Sequence, residues 1–268
     1  MENENKSDNL NEIYEITTKS PGKVLMCGGY LIINPKYRGL VICTKTYFES
    51  KGRLEILQKV ENHEIQTTLL IQINSKNFNQ SLYYKVDISF KNSQKENLDL
   101  LINFERLDTN DFIEILSRKF EVIKDLNKKD DKINDNFIIN SIKSAIYYLL
   151  LNKSKALDFN EFSDKLKNKI MYMIIDIEAD YRFYGHDKNL EQTNIANNIK
   201  TGLGSSSALV CSLTSNIILN LFQYFDNIEI KSSFNEYENK IKLCILLASI
   251  NANNQAQNKV DIIFFKWV

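Results

Sequence analysis

The sequence predicts an α+β fold, and three observations carry that prediction. Strand-like runs crowd the first third, helical periodicity takes over from the middle onward, and one late strand-like run, Met171–Ile177, interrupts the helices. With 268 residues, 43% of them hydrophobic, the chain can bury a substantial core as one large domain or two small ones.

The elements follow in order. Ile13–Thr17, Val24–Ile33 and Leu40–Phe48 are rich in Val, Ile, Leu and aromatics, and Gly22, the Asn34-Pro35 turn and Gly39 separate them. Ile65–Ile73 reads as a further strand. In Leu82–Phe90 the residues Leu82, Tyr84, Val86, Ile88 and Phe90 alternate with Tyr83, Lys85, Asp87 and Ser89, as in a half-buried antiparallel strand. Ile138, Ile142, Ala145, Ile146 and Leu149 recur at helical spacing. Val210, Leu213, Ile217 and Leu221 mark a second helix, and Phe234, Tyr237, Ile241, Cys244 and Ala248 a third. Residues 1–12 are polar and expected to be a disordered tail, and Lys124–Asn136 is a charged loop.

Composition excludes several function classes. Thirty-four basic residues balance 34 acidic ones, which gives no reason to expect nucleic acid or an anionic membrane as a partner. No secretory signal and no apolar run near about 18 residues stands out, so a cytoplasmic chain is expected. The four cysteines, Cys27, Cys43, Cys211 and Cys244, are widely spaced, which disfavours zinc and fits a reducing compartment. Cys27 and Cys43 are expected to be core thiols. Oligomeric state is not legible.

The most informative stretch is Lys200-Thr201-Gly202-Leu203-Gly204-Ser205-Ser206-Ser207-Ala208, which runs into an apolar helix. Two glycines permit close backbone approach to a ligand, and the unpaired N–H groups and positive dipole end of a helix N-terminus suit phosphate. Glycine is scarce, 8 in 268 residues, yet five of the eight (Gly22, Gly28, Gly29, Gly202, Gly204) fall in two short segments. On the residues alone two readings stay open: a phosphate loop, or a plain turn with a serine N-cap. The spacing matches neither GxxxxGK[ST] nor GxGxxG after a strand, so P-loop and Rossmann readings fail.

Thr201–Ala208 resembles the second motif of the GHMP kinases (galacto-, homoserine, mevalonate and phosphomevalonate kinases). Ser20-Pro21-Gly22-Lys23-Val24-Leu25-Met26-Cys27-Gly28-Gly29-Tyr30-Leu31 resembles their first. Gly28-Gly29-Tyr30-Leu31, followed by Asn34-Pro35-Lys36-Tyr37-Arg38-Gly39-Leu40-Val41, is similar to the eukaryotic phosphomevalonate kinases, as are Ile174–Ile177 and the Lys200-Thr201 lead. The resemblance spans 20–48 and 171–221, with a further match at 234–260. It implies a GHMP kinase N-terminal domain over 13–260, of the ribosomal protein S5 domain 2-like type, with a mostly antiparallel sheet backed by helices. The activity it implies is ATP-dependent phosphorylation of (R)-5-phosphomevalonate to the diphosphate. Lys200, Thr201, Gly202, Leu203, Gly204, Ser205, Ser206, Ser207 and Ala208 would then bind ATP. Ser206 would lie closest to Mg²⁺ and the phosphates, and Lys23 would be the catalytic cation, although a solvated surface lysine is the plain alternative. Tyr30 reads as packing, His186 as a solvent-facing loop residue, and Asp176, Glu178 and Asp180 as the wet face and end of a strand.

The chain departs from that pattern late. The family continues from Ala-Gln-Gly-Lys into Gly-Ser-Gly-Phe-Asp, whereas Ala256-Gln257-Asn258-Lys259-Val260 leads here into a divergent 261–268, with Phe265 at the aspartate position. The C-terminal GHMP domain has no counterpart in the sequence. The chain as written is therefore expected to be catalytically weak or inert, a nucleotide-binding fragment being the alternative, with another GHMP small-molecule kinase as the alternative enzyme.

Overall fold

The computed structural model describes residues 13–28, 34, 36–59, 66–77, 79–92, 98–117, 135–156, 165–166, 169–184, 201–226 and 230–256. In chain order the elements are β1 (Ile13–Cys27), β2 (Leu40–Lys59), β3 (Gln66–Ser75), β4 (Gln80–Asn92), β5 (Leu98–Leu107), α1 (Thr109–Ser117) and α2 (Asn136–Ala156). There follow β6 (Lys169–Ala179), a 3-10 turn (Tyr181–Phe183), α3 (Ser205–Asp226) and α4 (Ile230–Ala256). The fold is α+β. Its six strands form one mixed sheet in the order β1-β2-β6-β3-β4-β5, in which only β3 and β6 pair in parallel.

β6 is the central strand, and its sequence shows why. Lys-Ile-Met-Tyr-Met-Ile-Ile-Asp-Ile-Glu-Ala is apolar almost throughout, as a strand covered on both faces requires. Met171, Met173, Ile175, Ile177 and Ala179 enter the main core with α2, α3 and α4. Ile170 and Tyr172 turn to the opposite face and join Leu70, Tyr83, Leu107 and Phe112. This second, smaller core lies under α1. Tyr83 was expected on the wet face of its strand. It is buried instead, with its ring 4.6 Å from that of Phe112, because the β5–α1 segment folds back over that end of the sheet. The other side of β4 behaves as expected, with Leu82, Tyr84, Val86 and Ile88 in the main core. Tyr84 is also tied down by its hydroxyl, which donates to Asp135 Oδ2 at 2.8 Å, while Arg106 lies 3.1 Å from the same oxygen. Asp135 in turn accepts the first intrahelical bond of α2 through its carbonyl, from Ile139 N–H at 2.9 Å. The helix thus begins at the end of the Lys124–Asn136 loop, whose earlier part lies outside the described residues.

Four expectations need correction. Gly22 does not break the first strand: β1 runs unbroken through Pro21-Gly22, which its edge position permits because a proline there costs no ladder bond. The second strand-like run, Val24–Ile33, is no separate strand: its first residues complete β1, which ends at Cys27 before Gly28, and 29–33 lie outside the described residues. Cys27 and Cys43 are not core thiols but are exposed, because this part of the β1–β2 hairpin extends past the helices. Leu25, Met26, Leu40, Val41 and Ile42 are exposed with them. Finally, Ser205–Phe225 of α3 is long and apolar enough to cross a membrane by length and composition. Its packing gives the physical reason for that composition: the helix is enclosed by β1, β2, α2 and α4.

α3 is held to the sheet by a buried polar seam. Asn216 Nδ2 donates to both Ile16 O and Ser50 O at 2.9 Å, Ser212 Oγ and Ser50 Oγ are 2.7 Å apart, and Thr18 Oγ1 donates to Ser212 O at 2.8 Å. The seam closes only over a glycine. A Cβ on Gly52 would stand 1.8 Å from Asn216 Oδ1 and 2.6 Å from Asn220 Nδ2. Gly52→Ala must therefore displace the Asn216 amide and strand two buried carbonyls. We expect a loss of about 2–4 kcal/mol in urea unfolding, well beyond the ~1 kcal/mol centre of ordinary substitutions. A loss below 1 kcal/mol would show the seam to be dispensable.

Candidate functional site

Two segments 180 residues apart in sequence meet at the outer edge of β1. Lys23 N–H donates to Leu203 O at 2.8 Å, so the Gly202–Gly204 loop closes onto the free edge of the strand. A Cβ on Gly204 would fall 3.1 Å from Lys23 Cγ and 3.5 Å from Cε, which places the lysine stem directly over the glycine. Gly202 and Gly204 have φ of +78° and +71°, the left-handed region that side chains disfavour. Both glycines are thus required by backbone geometry, Gly204 also by its neighbour.

The loop opens α3. Ala208 N–H donates to Gly204 O at 3.1 Å as the first intrahelical bond, so Gly204 holds the capping position and the N–H groups of Ser205, Ser206 and Ser207 precede the ladder. Gly204, rather than a serine, thus occupies the cap. The hydroxyls of these three serines make no hydrogen bond among the described residues. The ammonium of Lys23 likewise has no acidic partner among them. Among the described residues, a glycine-lined helix mouth thus combines N–H groups outside the ladder, unbonded hydroxyls and an unpaired cation, a set whose chemistry suits an anion.

The floor of the site is a bulge. In the β1–β2 ladder Pro21 faces Tyr47 and Lys23 faces Cys43, so Thr44, Lys45 and Thr46 all stand against Gly22 alone. The Thr44 and Thr46 hydroxyls bond to each other. A Cβ on Gly22 would come within 2.6–2.9 Å of both hydroxyls and of the Phe183 ring. The 3-10 turn braces this floor. Arg182 reaches Asp180 through Nε (2.9 Å) and Nη2 (2.5 Å), and Nη2 also donates to Lys45 O at 2.8 Å. Thr201 Oγ1 donates to Arg182 O at 2.9 Å, and Thr201 N–H to Phe183 O at 3.1 Å. The hydrogen bond from the Arg182 side chain, aided by the guanidinium charge, holds the Asp180 carboxyl below its ordinary value.

The structure therefore brings together Lys23, Thr201, Gly202, Leu203, Gly204, Ser205, Ser206, Ser207 and Ala208. Lys200, Tyr30, His186 and Phe265 lie outside the described residues. Asp176 and Glu178 bond to Asn74 and Lys76 away from the loop. Sequence reasoning missed Thr44, Thr46 and Arg182. The Thr-Lys-Thr triplet interrupting an apolar strand was a usable signal for the bulge, whereas nothing in the sequence marked Arg182.

Against this geometry the comparisons with known proteins add little. No protein-family model and no curated protein matches the chain. Among solved structures, the chain is similar to one titled "Crystal structure of a Lin0012 protein from Listeria innocua", at 14% identity and a TM-score of 0.35. The match covers 91% of this chain and 46% of that one, so the chain spans under half the length of that protein.

Two outcomes check the geometry. Gly202 has open space around it and Gly204 does not. Gly202→Ala should cost only the backbone strain of about 1–2 kcal/mol, and Gly204→Ala measurably more in the same urea titration. Equal costs would place Lys23 elsewhere. Because the Asp180 carboxyl is depressed, its pairing with Arg182 is complete above the ordinary value of 3.8 and lost as pH falls through the lower folded value. Melting temperature should thus fall more steeply below pH 4 in the wild type than in Asp180→Asn, by a small margin since the pair faces solvent. Parallel acid limbs would remove the pair from the stability of the site.

Proposed function

We propose that Gly202–Ala208 and Lys23 bind the phosphates of ATP, and that the chain is the nucleotide-binding half of a phosphotransferase of the GHMP kinase type. The observation that supports this best is the closure of the loop on the strand, in which Leu203 accepts from Lys23 N–H and Gly204 lies beneath the Lys23 stem. Two motifs that resemble that superfamily in sequence are neighbours in space, and each supplies what phosphate requires. The glycines leave room for it, the first turn of α3 offers N–H donors, and Lys23 brings a charge that no described carboxylate consumes. In such a site catalysis rests on positioning and on neutralising charge over the transferred group, and both are tasks for these residues.

Within that reading the acceptor is phosphomevalonate, on the strength of Gly28-Gly29-Tyr30-Leu31 and the Asn34-to-Val41 segment that follows. Bound nucleotide would carry Mg²⁺ through its phosphates, with the Ser206 hydroxyl beside them. A second reading, a nucleotide-binding module without turnover, is favoured by Phe265 standing where the family carries a carboxylate. A positioned acid or base contributes about 10²–10⁴-fold in rate, so its loss would leave binding intact and chemistry near background.

Calorimetry with ATP tests the phosphate loop. Gly204→Val should weaken binding tenfold or more, about 1.4 kcal/mol, and unchanged affinity in a folded variant ends the proposal. Cys43 offers an independent readout. It is exposed and faces Lys23 across the ladder, whereas Cys27 pairs further along with Leu40. ATP should slow alkylation of Cys43 more than that of Cys27, and equal slowing or none counts against a nucleotide at Lys23. ADP release with phosphomevalonate, measured beside mevalonate, separates the two readings: turnover supports the kinase, and binding without turnover supports the module.

A further inference from the structure

We infer that Arg182 is the acceptor-binding cation of this site, a specificity residue that selects a substrate already carrying a phosphate monoester. The inference rests on the phosphate-loop reading above and deepens it. An acceptor phosphate brought against the end of a nucleotide triphosphate sets two anions face to face. Lys23 and a nucleotide-borne Mg²⁺ would both serve the nucleotide phosphates, which leaves the acceptor's own phosphate monoester in need of a cation on its side. Arg182 is placed to be that cation. Its chain contacts all three parts of the site: Nη2 donates to Lys45 O in the bulge opposite Gly22, its carbonyl accepts from Thr201 at the head of the loop, and the next residue, Phe183, packs against Gly22.

The orientation of the guanidinium is fixed rather than free. Asp180 engages Nε and Nη2 together, and the ring of Tyr181 lies 5.7 Å from the guanidinium carbon. Nη1 has no partner among the described residues, and the side chain is half-exposed. A planar fork held along one edge presents its remaining N–H donors as a unit, which suits the oxygens of a phosphate better than a lysine ammonium does. Asp180 thus orients Arg182 without reaching the ligand itself. Lys45, whose carbonyl accepts from Arg182, is itself exposed at the same bulge.

Calorimetry on the intact chain tests this, with ATP, phosphomevalonate and mevalonate as separate titrants. In Arg182→Gln, phosphomevalonate affinity should fall tenfold or more, several times further than the affinity for ATP or for mevalonate, which lacks the phosphate. Arg182→Lys keeps the charge but cannot grip Asp180 and Lys45 O while presenting a free donor pair, so it should fall between wild type and Gln. It also serves should Gln fail to fold, fold being checked by thermal melting. Phosphomevalonate affinity unchanged in a folded Arg182 variant overturns the inference, as does a wild type that binds ATP but not phosphomevalonate. Equal weakening of mevalonate also overturns it, by assigning Arg182 to the carboxylate both ligands share. Failure of the wild type to bind ATP is a different result and strikes the phosphate-loop reading itself.

Discussion

The seam between α3 and the first two strands is the constraint on which the site depends. A helix packed on a sheet by apolar contacts alone can slide or rotate by fractions of a turn at modest cost, since such contacts are non-directional. Asn216 removes that freedom. Its amide spans two strands by donating to Ile16 O and Ser50 O, while Ser212 and Thr18 fix the turn above. These bonds are buried or partly buried, so a shift in register would leave donors and acceptors unpaired, which costs more than lost packing. Because the registered helix begins at Ser205, the seam also decides where the Gly202–Gly204 loop lies, and hence that Leu203 meets Lys23.

Charge is distributed unevenly along the same strands. Lys19 and Lys51 both pair with Glu49, at 2.6 and 3.1 Å, Lys76 pairs with Glu178, and Lys85 with Asp87. The exposed pairs among these contribute little to stability, but each pair consumes the charge of its lysine. Lys23 lies on β1 four residues from Lys19 and has no such partner among the described residues. It stands instead over a helix mouth lined by glycine. An unpaired ammonium beside free N–H donors makes a local positive potential in a chain with no net charge, so the selectivity of the site is a property of its geometry and not of bulk composition.

The sequence disclosed the parts of this arrangement whose cause is local. Residue spacing alone marked α2, α3 and α4, since their apolar stripes recur at helical period. It also marked the late strand β6, whose apolar run is long because both of its faces are covered. The two glycine clusters stood out because left-handed backbone and close approach can be met by little else. What stayed hidden depends on tertiary contact. β5 carries usable alternation in Leu98, Leu100, Ile102 and Phe104, but α1 makes sense only once Phe112 is seen against Tyr83 and Tyr172. The polar residues of α3 looked like interruptions of an apolar helix, and only the position of Gly52 shows that they face a strand. Arg182 acquires meaning only when Lys45 O and Thr201 arrive beside it from distant parts of the chain.

The bulge opposite Gly22 divides β1 and β2 into two regimes. Before it, the hairpin lies under α3 and its inward residues Thr18, Ser20, Ser50 and Leu54 are covered. Beyond it, the apolar residues Leu25, Met26, Leu40, Val41 and Ile42 are exposed on a two-stranded ribbon, which has a second irregularity at Met26. A ribbon of two strands has little independent stability, and its sequence is that of a segment meant to be covered. Lys23 sits at the boundary, with its backbone fixed by Leu203 on the packed side and its partner Cys43 on the exposed one. Three residues against one glycine increase the local twist and turn the ribbon away from the core, which is how a bulge re-aims a side chain at the edge of a sheet. Rigidity on one side of Lys23 and openness on the other follow from that single irregularity.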